Sequence, residues 1–395
     1  MKKIRVLHLI TRFLKWGGAE KNTYRSMKAL TEDPEGKYEV ELSVGRENNK
    51  SQLKKVREAG IKTHELSHLV NPIHPGRDLS ALFELYVFLK RGNYDVIHTH
   101  QTKASILGRV AAKAAGIPVI IYGVHGSTFS GIGEPLRSLL LALERYTARF
   151  TDRFVSVGKD LRDRFLEQGI GSREAFRIVR SAMDLEPFYE AGQIGEEKRN
   201  EKRLDLGLEP SDLVIGKVAS LEPRKGHEYV LEVAAKLTDK YDGLKFLFVG
   251  EGEERSKLKA RVDDMRLSDR VLFSGYREDI AEVMGVFDIF TFTSLREGLP
   301  QVLIQAVAVG LPIVTFNVEG ACEVVKDGEN GYIVPLRDVE ALEEKLEKLI
   351  RKPDLRKKIG GKGSEILGDE WGIDKMKEDT INLYDEILSQ RGWWH

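Results

Sequence analysis

The chain has 395 residues, enough for two or three domains, and its 62 basic and 62 acidic side chains cancel to a net charge of zero. With 41% hydrophobic and 31% charged residues it has the composition of a globular protein with a real core, not of a disordered chain. One cysteine, Cys322, rules out an internal disulfide and a cysteine-based zinc site, and the longest apolar runs fall well short of a bilayer span. The neutrality hides a split. Residues 1–190 hold 31 basic and 22 acidic side chains, a net of +9, and residues 191–395 carry the opposite −9.

The opening MKKIRVLHLITRF reads as a first strand, not a signal peptide, because Arg5 and His8 interrupt its apolar stretch and no small-residue cleavage site follows. Strands are expected at 4–10, 38–44, 61–66, 95–99, 118–123, 153–157 and 176–179, with helices at 19–30, 53–59, 79–90, 104–115, 136–150 and 160–167. Residues 186–203, with one proline, two glycines and dense charge, read as a linker. The second half repeats the rhythm. Its strands are expected at 213–220, 244–249, 271–273, 289–293, 312–316 and 331–334. Its helices are expected at 227–238, 253–265, 280–286, 301–309, 339–350 and 354–366, with a last one at 374–388. Strands alternating with helices imply parallel sheets. The expectation is two doubly wound α/β domains, 1–190 and 191–373, with ligands beyond the carboxyl ends of the strands. Facing each other, they would enclose a cleft between a basic and an acidic wall.

Several turns could carry chemistry. Gly17-Gly18-Ala19-Glu20 opens the first helix, where glycines permit close backbone approach and free N–H groups favour a phosphate, although any βα turn of this kind looks similar. His98-Thr99-His100 puts two imidazoles on one face of a strand end. No third histidine or carboxylate stands nearby in sequence, so a polar strand end beside a cleft is preferred to a metal pair. His125-Gly126 lies in a loop with glycines at 123, 126, 131 and 133, suited to closing over a substrate or simply a loop. Glu222-Pro223-Arg224-Lys225-Gly226 offers two cations at a βα turn, able to clamp a diphosphate or to stand solvated. Gly250-Glu251-Gly252 has Arg255 where a dinucleotide fingerprint needs a third glycine, and its neighbouring acids would repel a pyrophosphate; it reads as a helix-starting turn. No phosphate-binding G-x4-G-K-[ST] loop is present, which argues against a P-loop nucleotidase. The most specific stretch runs from Ser294 to Ala306. A strand ends, Glu297-Gly298-Leu299-Pro300 turns, and a helix begins at the proline. Its N-terminus could take a phosphate, Glu297 a sugar hydroxyl and Gln305 a ribose hydroxyl.

GGAE at 17–20, DVIHTH at 95–100, HG at 125–126, EPRKG at 222–226, VGEGEE at 249–254, EGLPQVLIQA at 297–306, GLPIV at 310–314 and DGENGYIV at 327–334 span nearly the whole chain. With these motifs it resembles the family 4 retaining glycosyltransferases, which have the GT-B fold of two Rossmann-like domains. The resemblance implies a UDP-, GDP- or ADP-sugar donor held mainly by the C-terminal domain and a glycan or lipid-linked acceptor on the N-terminal one. It implies no metal or other cofactor and no nucleic-acid partner. Lys225 would contact the diphosphate, with the backbone of Gly17 and Gly18 from the other domain and the helix N-terminus at Val302 and Leu303. Glu297, with Gly298 and Leu299, would contact the transferred sugar, and His125 would lie near the reacting carbon. Tyr276 and Arg277 would flank the base. His98, His100 and Gly126 fall on the acceptor side, and the last helix, 374–395, would pack back on the N-terminal domain.

Three positions depart from the family pattern. Gln305 replaces the second acid of E-x7-E, Ser220 replaces a basic residue, and Ser181-Ala182-Met183-Asp184 keeps only the aspartate of Asn-Gly-x-Asp. Arg224 is the expected substitute for the cation missing at 220. With no Asp-x-Asp in the chain, protein cations would stabilise the leaving diphosphate, which would accept the acceptor's proton on the same face of the sugar. Two rival readings remain open here: a sugar-nucleotide epimerase on the same fold, and a non-catalytic sugar-nucleotide-binding subunit. The helix 136–150 carries leucines at helical spacing with Arg137, Arg145 and Arg149. Packing on its own core is the preferred reading, against contact with an anionic membrane. The expected location is the cytoplasm, with that helix as the candidate contact to the membrane's inner face.

Overall fold

The computed structural model describes residues 3–14, 17–126 and 133–393, so Gly131 of the glycine-rich loop and the last two residues lie outside the description. The chain forms two compact units, residues 1–182 with 372–395, and residues 183–371. The first crossing falls inside Ser181-Ala182-Met183-Asp184, earlier than the boundary read at 190. By these limits the first unit holds 34 basic and 24 acidic residues, a net of +10, and the second carries −10.

The first unit is built on seven parallel strands: β1 (Ile4–Ile10), β2 (Tyr38–Val44), β3 (Lys62–Glu65), β4 (Val96–His100), β5 (Val119–Val124), β6 (Arg153–Ser156) and β7 (Phe176–Ile178). Their order is β3-β2-β1-β4-β5-β6-β7. The second has six: β8 (Leu213–Val218), β9 (Leu244–Val249), β10 (Val271–Gly275), β11 (Ile289–Phe292), β12 (Ile313–Phe316) and β13 (Gly331–Val334). Their order is β10-β9-β8-β11-β12-β13. Both orders reverse direction once, between β1 and β4 and between β8 and β11. In such sheets that reversal opens a crevice at the strands' carboxyl ends.

Both faces of each sheet are covered, so the strands read as near-continuous apolar runs. Val6, Leu42, Val96 and Ile121 pack on one face of the first sheet, and Leu7, Leu9 and Ile97 on the other. The helix Ile373–Gln390 lies on the first of these faces, burying Met376, Leu383, Tyr384 and Ile387. Its polar side is tied down as well. Lys37 Nζ and Tyr38 Oη donate to Asp385 at 2.9 and 2.6 Å, and Arg177 Nε donates to Glu386 at 3.0 Å.

The structure corrects three sequence readings. Residues 186–203 are not a linker: they form the helices Glu186–Gly192 and Glu196–Asp205, packed within the second unit. Arg199 and Arg203 both reach Asp288 at 2.8 Å, and Arg203 also donates to the carbonyl of Val286 at 3.0 Å. The dense charge is thus a set of tertiary contacts, which local pattern does not reveal. The helix expected over 354–366 is two, Pro353–Gly360 and Gly363–Leu367. A Cβ on Gly360 would stand 2.1 Å from the carbonyl oxygen of Gly310, and one on Gly363 would stand 2.1 Å from that of Val307. The break lets the chain lie against the helix Gln301–Val309 at backbone distance.

The third correction concerns the helix Leu136–Ala148. Its buried residues are Glu144 and Thr147, while Leu136 and Leu139 are 37% and 56% exposed. Those two leucines therefore do not pack on the core, and Leu140 and Leu143 of the same stripe are only half-buried. The helix is held by an ion pair between Glu144 and Arg109, both fully buried, with the Arg109 guanidinium 4.4 Å above the Tyr122 ring. Among the described residues no helix is long and apolar enough to cross a membrane. Removing one partner leaves the other charge buried alone. Glu144→Ala is expected to lower unfolding free energy by roughly 3–5 kcal/mol in urea titration, whereas replacing both charges with apolar residues costs far less.

Candidate functional site

In the second unit the carboxyl ends of β8 and β11 carry two loops that are stitched together. The Thr293 hydroxyl donates to the carbonyl of Gly226 at 2.7 Å, and the Leu295 amide to that of Arg224 at 2.9 Å. This brings Lys225 onto Glu297 as an ion pair, each side chain 14% exposed. The two predicted residues are 72 positions apart in sequence and meet at the sheet's reversal point. The Ser294 hydroxyl, in the loop that carries Glu297, is buried without a hydrogen-bond partner among the described residues.

Two groups here escaped the sequence reading. Lys217, on β8, is 1% exposed and donates to the Thr293 hydroxyl at 2.7 Å. Burial, with the like charge of Lys225, pushes its pKa down to about 7. His227 opens the helix His227–Thr238. It is 3% exposed, with neither ring nitrogen hydrogen-bonded among the described residues, and burial first and then Lys217 hold it neutral. A lysine inside the β-branched run Leu213–Val218 was the available signal, since a charge in a strand buried on both faces needs a partner.

The other predicted donor residues are distributed as follows. Arg224 is not a free cation replacing the one missing at Ser220: it is exposed and bound to Glu222 at 2.8 Å, and the Ser220 hydroxyl holds the same carboxylate. Gly298, Leu299, Val302 and Gln305 are half-buried around the start of the helix Gln301–Val309. The Leu303 side chain is in the core and its N–H donates to the carbonyl of Pro300 at 3.0 Å. Tyr276 is 71% exposed, and Arg277 is clamped on Asp279 at 2.7 Å. The Gly250–Gly252 turn braces the neighbouring loop: Leu221 N–H donates to Glu251 O at 3.0 Å and Glu254 N–H to Leu221 O at 2.9 Å. A Cβ on Gly252 would meet the Leu221 carbonyl at 2.3 Å, which explains the glycine without a nucleotide.

In the first unit Gly17 caps the helix Gly18–Thr31 in extended conformation, and Gly18 is exposed with open space where a Cβ would stand. Burial raises the pKa of Glu20 in the first turn. His98 and His100 are only 2% and 1% exposed, so neither offers a surface to an acceptor; Gly126 is half-buried. The third histidine absent from the local sequence is supplied by register, which sets His8 of β1 beside His98 of β4. His8 Nδ1 lies 2.9 Å from His100 Nε2, and His100 Nδ1 lies 2.8 Å from His125 Nε2.

One nitrogen from each of His8, His98 and His100 lies within 4.8 Å of the others, the spacing a metal ion could use. The rings of His8 and His100, however, lie end to end with planes 12° from parallel and are joined by a hydrogen bond, so their lone pairs do not converge on one point. Burial holds all four imidazoles neutral. The pKa falls to about 3 for His8 and about 4 for His125, and lies well below the ordinary value for His98 and His100.

Both halves of the chain match models of known families. Residues 17–180 match the glycosyl transferase 4-like domain, and residues 198–365 match the glycosyl transferases group 1. The UDP-Gal:alpha-D-GlcNAc-diphosphoundecaprenol alpha-1,3-galactosyltransferase of Escherichia coli is 31% identical over 270 residues, covering 67% of this chain and 68% of that protein. The N-acetyl-alpha-D-glucosaminyl L-malate synthase of Bacillus anthracis is 24% identical over 80% of this chain and 81% of its own. Among solved structures, Anabaena HepE in complex with UDP superposes with a TM-score of 0.81 at 19% identity, covering 97% of this chain and all of the other.

The neutral histidines make stability pH-dependent. Unfolded, each titrates near pH 6.5; folded, well below. Between those values the unfolded chain binds more protons, so stability falls as the pH drops below about 6.5, by up to about 1.4 kcal/mol per pH unit for each buried histidine. Urea midpoints between pH 7.5 and 5 should show this slope, and a flat profile would contradict the neutral assignment.

Proposed function

Because the chain belongs to the family 4 glycosyltransferases of the GT-B fold, we propose that it moves a sugar from a nucleoside-diphosphate sugar to a glycan or lipid-linked acceptor, with retention and without a metal. One observation carries the reading: the Lys225–Glu297 pair at the reversal point of the second sheet, with buried Lys217 close by and the start of the helix Gln301–Val309 beside it. A cation, a carboxylate and a helix N-terminus at one strand end suit a sugar joined to a diphosphate.

In the proposed reaction the bond from the anomeric carbon to the diphosphate oxygen breaks, leaving positive charge on the sugar and negative charge on the nucleoside diphosphate. Lys225 stabilises the leaving oxygen. The acceptor hydroxyl forms the new bond on the same face and gives its proton to the departing diphosphate. Glu297 orients the transferred sugar and is itself held by Lys225. The roles of Gly17 and Gly18 toward the diphosphate, and of His125 toward the sugar, follow from the family likeness and belong to the same proposal.

The E. coli relative bears the name of a UDP-galactose-using enzyme acting on a diphosphoundecaprenol, and HepE was crystallised with UDP. Both favour a UDP-sugar donor and a lipid-diphosphate acceptor. In the first unit a groove of about 560 Å³ is lined by Ile73, Leu136, Leu139, Leu140 and Leu143, with Arg12 and a Lys103–Asp78 ion pair among its walls. Apolar walls with Arg12 beside them fit a lipid carrying an anionic head, and the exposed leucines fit contact with the cytoplasmic face of a membrane.

Lys225→Ala and Glu297→Ala should each lower kcat/KM for the donor by about 10²–10³-fold without loss of fold; unchanged turnover in either would sink the assignment. A diphosphate bound near Lys217 favours its charged form. Donor binding should therefore take up a proton at pH 7.5–8, read as buffer-dependent enthalpy in calorimetry, with uptake fading below about pH 6.

A further inference from the structure

We infer that Asn22, His125, His100, His8, Tyr384 and His98 form one hydrogen-bonded relay in the first unit, which fixes the tautomer of His125 and leaves its Nδ1 as a hydrogen-bond acceptor.

The relay follows from geometry. Asn22 Nδ2 lies 3.3 Å from His125 Nδ1, His125 Nε2 2.8 Å from His100 Nδ1, and His100 Nε2 2.9 Å from His8 Nδ1. His8 Nε2 is 3.4 Å from the Tyr384 hydroxyl, which is 2.9 Å from His98 Nδ1. The ring centroids of His8 and His100 are 5.2 Å apart, and those of His100 and His125 are 5.1 Å apart, with planes 12° and 23° from parallel. Two imidazoles joined in-plane by a bond of about 2.9 Å, with about 1.2 Å of ring at each end, have that separation. The three rings are joined end to end, not stacked face to face.

A neutral imidazole has one N–H and one lone pair, so each ring that donates on one side accepts on the other. The Asn22 amide nitrogen can only donate. His125 Nδ1 therefore accepts and its proton sits on Nε2, donated to His100. His100 then donates from Nε2 to His8, and His8 from Nε2 to Tyr384, whose O–H turns to His98. The Asn22 amide at one end and the Tyr384 hydroxyl at the other together set the protons of the rings between them. The relay stops at His98, which accepts at Nδ1 and so carries its proton on Nε2, a buried donor without a partner among the described residues. That nitrogen lies against Gly123, where a Cβ would stand 3.0 Å from it and 2.5 Å from His100 Nδ1. Register places Gly123 of β5 opposite His100, so a glycine in that strand is what admits the rings.

This inference rests on the proposed role of His125 toward the transferred sugar. His100, His8 and Tyr384 are then positioning residues. They hold His125 neutral with Nδ1 ready to accept from a sugar hydroxyl that displaces the long bond from Asn22.

The test needs no activity at its first step. Long-range proton–nitrogen NMR on protein labelled with ¹⁵N-histidine should show His125 and His100 protonated at Nε2; an Nδ1–H signature at either overturns the relay. Zn²⁺ bound in solution with nitrogen shifts at His8, His98 and His100 would likewise overturn it in favour of a metal site. Tyr384→Phe, which removes the hydroxyl but keeps the ring, should shift the His125 tautomer toward a mixture; His100→Phe should do so more strongly. If the relay serves the reaction, both variants lower kcat by about 10–100-fold while donor KM moves less than about threefold. A fixed tautomer with unchanged kcat in folded Tyr384→Phe would overturn the positioning role. Full turnover of His125→Ala would instead remove the functional reading of His125, leaving the NMR result to judge the relay.

Discussion

A parallel sheet covered on both faces reaches water only at the ends of its strands. Every polar group inside it needs a partner from the protein, and every ligand group must approach from the carboxyl ends. Both units obey this constraint, and most of their unusual residues are answers to it. Lys217 finds Thr293, Arg109 finds Glu144, Tyr384 finds His98, and His8 finds His100. The same constraint gathers Lys225 and Glu297 at the one place in the second sheet where the strand order reverses.

The two units use buried polarity in opposite ways. In the second unit a lysine near its neutralisation point and an ion pair stand close together, a place where charge is supplied locally within a unit of net −10. An anion bound there is held by close cations against the wider field, so the position of each ammonium matters more than the sum of charges. In the first unit, net +10, the Arg109–Glu144 pair is the buried charge, and the polar groups around His98 and His100 are neutral imidazoles that exchange hydrogen bonds without charge. The last helix contributes Tyr384 to that chain from more than 280 residues away in sequence. A segment that looks like a terminal appendage thereby completes the interior of the first sheet.

Much of this was legible in the sequence. The strands at β1, β2, β9 and β13 and the helices 227–238 and 301–309 follow their apolar patterns to the residue. Glu297 and Lys225 stood out because they sit in EGLPQVLIQA and EPRKG, two of the motifs that carry the family resemblance. What misled was charge read locally. The arginines at 199 and 203 looked solvated and are tied to Asp288, Arg224 looked free and is bound to Glu222, and the leucines of 136–148 looked like a core stripe, of which Leu136 and Leu139 are exposed. For Arg199 and Arg203 the deciding partner is distant in the chain, for the leucines it is the side of the helix that periodicity alone does not choose, and for Arg224 it is a carboxylate two residues away whose side-chain direction the sequence leaves open.

The sequence by itself determined the alternation of strands and helices, the family and the turns that carry charge, because those depend on periods of two and 3.6 residues and on short motifs. Only the tertiary structure decided which buried groups meet. His8, His98, His100 and His125 are spread over more than a hundred residues, and His98-Thr99-His100 alone lacked the third ring a local reading looks for. Strand order puts β1 and β5 on either side of β4, and register then sets His8 and Gly123 beside the pair. Hydrogen bonds reach about 3 Å and carry no memory of sequence distance, so the chain of histidines exists only once the sheet has formed.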